Sequence, residues 1–334
     1  MADTSFFELT EADRRDALEV AASQTGRPAY LLEKDVWVVL TLQALLNSSL
    51  GEHLTFKGGT SLSKGYQAIQ RFSEDLDITH DIRVLAPDLA GEDLPNASRN
   101  RRDNVRKEIA RRLNDWVQND ALPIIEDGLG EAGGSARVRL VGEKIYVVYQ
   151  PLFDDYRVVR PEVMVEFGGL DTGEPHERRI IECDAAWFIP DVAFPSASPF
   201  VMRPERTFWE KATLIHVFCE RQKGRGERHS RHWHDLVRLD DTGYAETALV
   251  DRALAQTVAQ YKESFFREKR SDGEWIDYEA AVSGHLRLTP SGEAYDALAD
   301  DYEGMVHSGM LHGDSESFQE LMARCTHIQA RANA

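Results

Sequence analysis

Apolar residues in the first fifty positions recur at helical spacing. Leu31, Val36, Val39, Leu40, Leu42 and Leu45 form one broad face, which predicts an amphipathic helix over 30–46. Pro28 separates it from an earlier helix, for which Thr10 is a natural cap ahead of Glu11-Ala12-Asp13-Arg14-Arg15. The period then falls to two. Residues 54–57 and 76–79 read as short strands flanking a helix over 60–69, the opening of an α/β unit. Alternating segments at 136–140, 144–149 and 163–167 read as sheet, with a further strand at 179–183. Beyond Pro204 the pattern is helical over 205–220, 229–240 and most of 244–268, then amphipathic with acidic faces over 291–334. The fold class is α+β: a mixed-sheet domain with N-terminal helices over 1–190, then a mainly α-helical domain over 191–334.

Composition narrows the class without naming it. A chain of 334 residues with 42% hydrophobic and 29% charged residues is an ordinary globular protein with room for sizeable cores. Cys183, Cys219 and Cys325 are odd in number and far apart, which fits neither a disulfide framework nor a zinc knuckle and points to the reducing cytoplasm. No run approaches the ~18 apolar residues of a membrane span, and the start Met1-Ala2-Asp3-Thr4-Ser5 lacks a signal peptide's basic and apolar regions. A net charge of −18 excludes nucleic-acid coating by the whole surface, but not by a local basic patch.

Two short runs carry the chemistry. In Lys57-Gly58-Gly59-Thr60-Ser61-Leu62-Ser63-Lys64 a Gly-Gly turn joins strand to helix. There the backbone can approach a ligand closely and offer N–H groups to phosphate. Thr60, Ser61 and Ser63 add hydroxyls, and Lys57 and Lys64 add positive charge. The run is not a Walker loop, and any strand–helix turn can use glycine. In Arg71-Phe72-Ser73-Glu74-Asp75-Leu76-Asp77-Ile78, Asp75 and Asp77 alternate on a strand, so both carboxylates share a face. A divalent cation relieves such repulsion, although solvated acids on an exposed strand would look the same. Glu166 is a third acid, set among Val165 and Phe167. If its strand lies beside that of Asp77, three carboxylates converge; otherwise it is an outward-facing acid on a half-buried sheet.

The order of Gly-Gly, Asp-x-Asp and a later strand acid resembles the polymerase-beta-like nucleotidyltransferase superfamily. More narrowly, Glu33-Lys34-Asp35, the two runs above, Glu210-Lys211 and Arg231-His232-x-x-Asp235-Leu236 look like the AbiEii/AbiGii nucleotidyltransferase toxins. The matching stretches span about 30–240. The resemblance implies that Asp75, Asp77 and Glu166 hold Mg²⁺ or Mn²⁺. It implies that Lys57, Gly58, Gly59, Thr60, Ser61, Lys64 and Ser73 cradle the NTP, that Lys211 faces its triphosphate, and that Asp235 positions a substrate group. It also implies an antitoxin partner, a role in a toxin–antitoxin or phage-defence pair, and transfer of NMP to an RNA acceptor such as a tRNA 3′ end. Nucleotidylation (AMPylation) of a protein and a non-catalytic partner-binding scaffold are the rival readings.

Read from the residues alone, Lys211 follows Phe208-Trp209-Glu210 on an amphipathic helix in which Trp209, Leu214 and Val217 should pack; a surface lysine snorkelling past them is the plain alternative. His229, His232 and His234 lack the spacing of a zinc site, so contact with substrate or a hydrogen bond to Asp235 is the better reading. Glu33, Lys34 and Asp35 form a charged knot on an apolar helix. A self-contained salt-bridged cluster is the plain alternative, but with Leu31, Leu32, Val36 and Trp37 packing, at least one of the three should reach a cleft. Two basic stretches, 99–112 within a long exposed helix over 96–119 with few acids and the link 221–228, are candidate nucleic-acid contacts, or else solvated charge or a contact for an acidic partner. Residues 128–134 read as a flexible glycine break.

Overall fold

The computed structural model describes residues 4–71, 73, 75–91, 93–154, 159–222, 229–308, 311 and 316–334. Phe72 and Glu74 of the second run, and 223–228 of the basic link, lie outside the described residues. The chain forms two compact units that interleave in sequence. The first takes 1–65, 73–90 and 107–201; the second takes 66–72, 91–106 and 202–334. Sequence patterning points to one boundary near 190, and such patterning has no means of showing that 66–72 and 91–106 belong with the second unit.

The first unit is built on a mixed sheet of seven strands: β1 (Leu54–Lys57), β2 (Leu76–His80), β3 (Ala136–Val141), β4 (Lys144–Tyr149), β5 (Glu162–Gly168), β6 (His176–Arg178) and β7 (Phe200–Met202). Their order is β3-β4-β5-β2-β1-β7-β6. The pairs β2·β5 and β1·β7 are parallel, whereas β1·β2, β3·β4 and β4·β5 are antiparallel. Period-2 alternation places Leu54, Phe56, Leu76, Ile78, Ile145, Val147, Val163, Val165 and Phe167 on one face, and all are buried. Each such side chain contributes roughly 1.5–3 kcal/mol on burial. The helices α1 (Glu11–Thr25) and α2 (Ala29–Leu46) pack together, and α2 lies on β5, while its Trp37 stacks on Tyr149 at the end of β4 at 4.8 Å.

Four expectations change. Residues 179–183 do not form one strand: 176–178 join the large sheet, while Ile181–Glu182 pair with Ser196–Ala197. Two adjacent isoleucines hid the step between sheets, and Ile180 is left exposed. The helix after Gly-Gly, α3, runs Gly58–Tyr66 and so begins at the first glycine, while β2 begins at Leu76, leaving Asp75 just outside the strand. The glycines at 128–134 do not form a flexible break throughout. Helix α5 (Leu122–Glu131) includes Gly128 and Gly130, because Gly128 lies where a Cβ would stand 2.7 Å from that of Ala44 on α2. Glycine here permits close helix packing.

The basic helix α4 spans Arg99–Trp116 and continues into a π-helical turn, Val117–Ala121. It is less bare than its sequence implies. Val105, Ile109 and Leu113 are buried. Arg111 bridges Glu108 and Asp115, Arg112 bridges Glu108 and Asp88, and Arg99 pairs with Asp103. Arg102 donates to the carbonyl of Ala97.

The second unit surrounds α6 (Pro204–Arg221), against which α7 (Arg231–Asp241) and the helices Tyr244–Val250 and Arg252–Phe265 pack. Trp209 and Trp233 are fully buried, and each indole N–H donates to a backbone carbonyl, of Ala248 at 2.9 Å and of Leu288 at 2.7 Å. A buried indole without such an acceptor would be costly. Leu214, expected to pack with Trp209, is on the outer side of α6 and 37% exposed. Among the described residues no helix is long and apolar enough to cross a membrane.

Candidate active site

The polar face of the large sheet carries one row of charge across four strands. Lys57 on β1 is in register with Asp77 on β2, Asp77 with Glu166 on β5, and Glu166 with Lys144 on β4. Register partners on adjacent strands, about 4.8 Å apart, project from the same face. The row therefore reads cation, anion, anion, cation. All four side chains are half-buried, while their chain neighbours Phe56, Leu76, Ile78, Val165, Phe167 and Ile145 fill the core behind them. Alternation thus forces two carboxylates to stand side by side. Lys144 Nζ lies 2.7 Å from Glu166 Oε2, and Lys57 Nζ lies 3.7 Å from Asp171 Oδ2.

Gly58 closes over this row. Its φ is +80°, and a Cβ there would fall 2.0 Å from Asp77 Oδ2 and 2.9 Å from its Cγ. Only glycine allows that backbone conformation and that approach together. From Gly58 the chain enters α3, whose first N–H groups have no intrahelical acceptor, the feature that lets helix N-termini receive anions. Two hydroxyls of the turn, those of Thr60 and Ser61, are engaged internally. Thr60 Oγ1 donates to the Asp75 carbonyl at 2.6 Å and lies 2.9 Å from Ser73 Oγ, and Ser61 Oγ donates to the Gly58 carbonyl at 2.9 Å. These bonds pin the Gly-Gly turn to the Asp-x-Asp segment.

Lys64, an expected phosphate ligand, points to carboxylates: Asp35 Oδ1 at 2.6 Å and Asp184 Oδ1 at 2.8 Å. Burial pulls its ammonium down, but Asp35 and Asp184 outweigh burial and hold it above the usual lysine range. The Glu33-Lys34-Asp35 knot is not self-contained. Glu33 accepts from Leu152 N–H at 2.8 Å, Lys34 donates to the Arg160 carbonyl at 2.9 Å, and Asp35 accepts from Asp184 N–H at 2.7 Å. These charges stitch α2 to the rest of the first unit.

Asp77 and Glu166 are brought together; Asp75, just before β2, does not complete a cage. Among the described residues, no three His, Cys, Asp or Glu side chains are gathered as a ready metal site. The row still fits a hard divalent ion, because its donors are carboxylate oxygens and two of them, on Asp77 and Glu166, stand on adjacent strands in register.

Lys211 and Asp235 lie in the second unit. Asp235 is fully buried, accepts from Arg71 through both oxygens (Nε–Oδ1 2.6 Å, Nη2–Oδ2 2.8 Å), and pairs with Lys211 Nζ at 2.9 Å. Burial pushes this carboxyl up, but Arg71 and Lys211 outweigh it, so it sits well below the usual carboxylate range. Lys211 is therefore a buried ion-pair partner and no snorkelling surface lysine. Glu210 pairs with Arg206 at 3.0 Å. His234 Nδ1 stands 3.6 Å from Asp235 Oδ1. Burial, with help from Lys211, holds His232 well below the usual histidine range.

A family model for the nucleotidyl transferase AbiEii toxin of type IV toxin–antitoxin systems matches residues 40–324. The chain belongs to the AbiEii family. Among curated proteins none matches it. Among solved structures it is similar to MenT4, a nucleotidyltransferase toxin from Mycobacterium tuberculosis H37Rv. The two are 18% identical, over 98% of this chain and 100% of that one, with a TM-score of 0.40. The stretch matched to AbiEii contains the Gly-Gly turn, Asp75, Asp77, Glu166, Lys211 and Asp235, and begins after the Glu33-Lys34-Asp35 knot. The AbiEii kinship makes this chain a nucleotidyltransferase of the toxin class.

Sequence reasoning missed two charged residues. Lys144 went unremarked because its place beside Glu166 depends on strand register, which alternation does not reveal. Arg71 was visible in its motif, but its partner Asp235 is 164 positions away.

Proposed function

We propose that the first unit carries a metal-dependent nucleotidyl-transfer site that moves NMP from an NTP to an RNA acceptor such as a tRNA 3′ end. The observation that carries this reading is the register pairing of Asp77 with Glu166 beneath Gly58. Asp77 and Glu166 are the residues assigned to hold Mg²⁺ or Mn²⁺, with Asp75, from the segment just before β2, as the third carboxylate, drawn in on metal binding. When bound, the ion supplies charge neutralisation at the α-phosphate and the departing pyrophosphate. The N–H groups of Gly58, Gly59 and the first turn of α3 orient the phosphates. Lys57, next to Asp77 in the row, adds positive charge to the same face. Thr60, Ser61 and Ser73 act by holding the turn rigid, so that positioning and electrostatics do the work without a covalent enzyme intermediate. Lys64 supports the turn from behind through Asp35 and Asp184. For Lys211 and Asp235 family resemblance argues a part in nucleotide handling; their geometry supports at least a sealed, net positive knot.

An antitoxin protein is the expected partner, and toxicity in phage defence the expected setting. The three cysteines are free and buried, which accords with a reducing cytoplasm.

The test is incubation of the protein with Mg²⁺, labelled nucleotides and total RNA. Label should enter a nuclease-sensitive, protease-resistant product, and Asp77→Ala should abolish it. Protease-sensitive label would point to protein nucleotidylation. No transfer to any macromolecule, with no NTP binding by titration, would leave only a scaffold.

A further inference from the structure

We propose that Lys144 is a further residue of the transfer site: a built-in counter-ion that occupies Glu166 until metal and nucleotide arrive, and then neutralises phosphate. The inference rests on the transfer reading above and adds to it a residue that no motif contains.

Glu166 and Asp77 are register partners on one face, so without a cation their charges repel. The Lys144 ammonium, 2.7 Å from Glu166 Oε2, relieves that repulsion. It reaches there by design of the hairpin, since Lys144 is the first residue of β4 and the register partner of Glu166. The pair remains in contact with water, with side chains 32% and 42% exposed. An ion pair so exposed is weak and exchanges readily. Contrast Lys64, which is locked between two carboxylates in the interior. Lys57 stands 3.7 Å from a buried carboxylate, that of Asp171. Among the described lysines paired with carboxylates on this unit, Lys144 has the most exposed partner and is best placed to let go.

A divalent ion taking Glu166 must displace the ammonium. Lys144 then stands at the edge of the loaded site, with its charge free to meet a phosphate oxygen. The balance is electrostatic only: no bond is made or broken, and one carboxylate–ammonium contact is replaced by an ammonium–phosphate contact.

Two binding constants test this in Lys144→Met. Mn²⁺ binding without nucleotide, read by electron paramagnetic resonance, should tighten by roughly tenfold, since a competing unit charge is removed within a few ångströms. Binding of a fluorescent non-hydrolysable NTP at saturating Mn²⁺ should weaken by a similar factor. Lys144→Arg, which keeps the charge, should leave both near wild type. Opposite signs cannot arise from partial unfolding, which weakens both. If either constant is unchanged in Lys144→Met, or both move the same way, the inference fails while the transfer reading stands. Absence of Mn²⁺ binding in every form, wild type included, sinks the metal site and this inference together.

Discussion

Each unit holds an acid–lysine pair of nearly equal length, Lys144–Glu166 at 2.7 Å in the first and Lys211–Asp235 at 2.9 Å in the second. Their surroundings set them apart. Glu166 is solvent-accessible, bonded to one cation, and next to a second carboxylate. Asp235 is sealed from water and holds two cations, one of them bidentate. Distance alone would rank them as equals. Solvent access makes the first pair exchangeable and the second a structural knot, because removing a partner from a buried pair strands a charge that water cannot reach.

Three measurements sharpen or break that contrast. The largest effect is expected at Asp235. Asp235→Asn leaves Arg71 and Lys211 buried without their anion and should cost about 3–5 kcal/mol of stability. Glu166→Gln should cost less than about 1 kcal/mol. Urea unfolding of both variants decides it, and equal losses would erase the distinction.

The next effect is acid sensitivity in the second unit. There His216 Nδ1 accepts from Arg287 N–H at 3.0 Å, and burial pushes its pKa down to about 4. In the unfolded chain a histidine titrates near 6.5. The unfolded state therefore binds more protons between those values. The stabilisation is full above pH 6.5 and is lost as pH falls towards 4, by up to about 3 kcal/mol. His216→Asn, which keeps an acceptor for Arg287 N–H but does not titrate, should flatten the fall in unfolding midpoint over that window. An unchanged slope would remove His216 from the account.

An effect on stability smaller than those at Asp235 and His216 is expected at Gly58. Gly58→Ala must adopt a left-handed backbone and displace the Asp77 carboxylate, for about 1–2 kcal/mol. Its consequence for function should be larger: nucleotide binding weakened by at least roughly tenfold, since the phosphate-facing turn and the carboxylate move together. Wild-type nucleotide affinity in Gly58→Ala would show that the turn is not the cradle.

Much of the first unit was legible from residue order. Alternation gave the strands at 144–149 and 163–167, where one face is buried, and the strands at 54–57, 76–79 and 136–140 were legible from the same pattern. Helical spacing gave α2, although that helix is buried on nearly every side. The Gly-Gly turn and Asp77 were visible because a tight approach needs glycine and because a charged residue among apolar ones is conspicuous. Other features were not. The arginines of 99–112 look bare in sequence, yet Arg111 and Arg112 find acids three to four residues away and one on another segment, Asp88. Residues 128–131 looked like a break because glycine lowers helix propensity, and packing against α2 overrode it.

The amino-acid order by itself determined most of the helices and strands, and which residue types are present to bind phosphate and metal, because periodicity and conformational preference act over a few neighbouring positions. The folded arrangement alone decided who faces whom: Lys144 with Glu166, Lys64 with Asp35 and Asp184, Arg71 with Asp235. Strand register and contacts across more than a hundred positions carry no local signature, and the solvent exposure that separates a displaceable charge from a locked one exists only once the chain has closed around it.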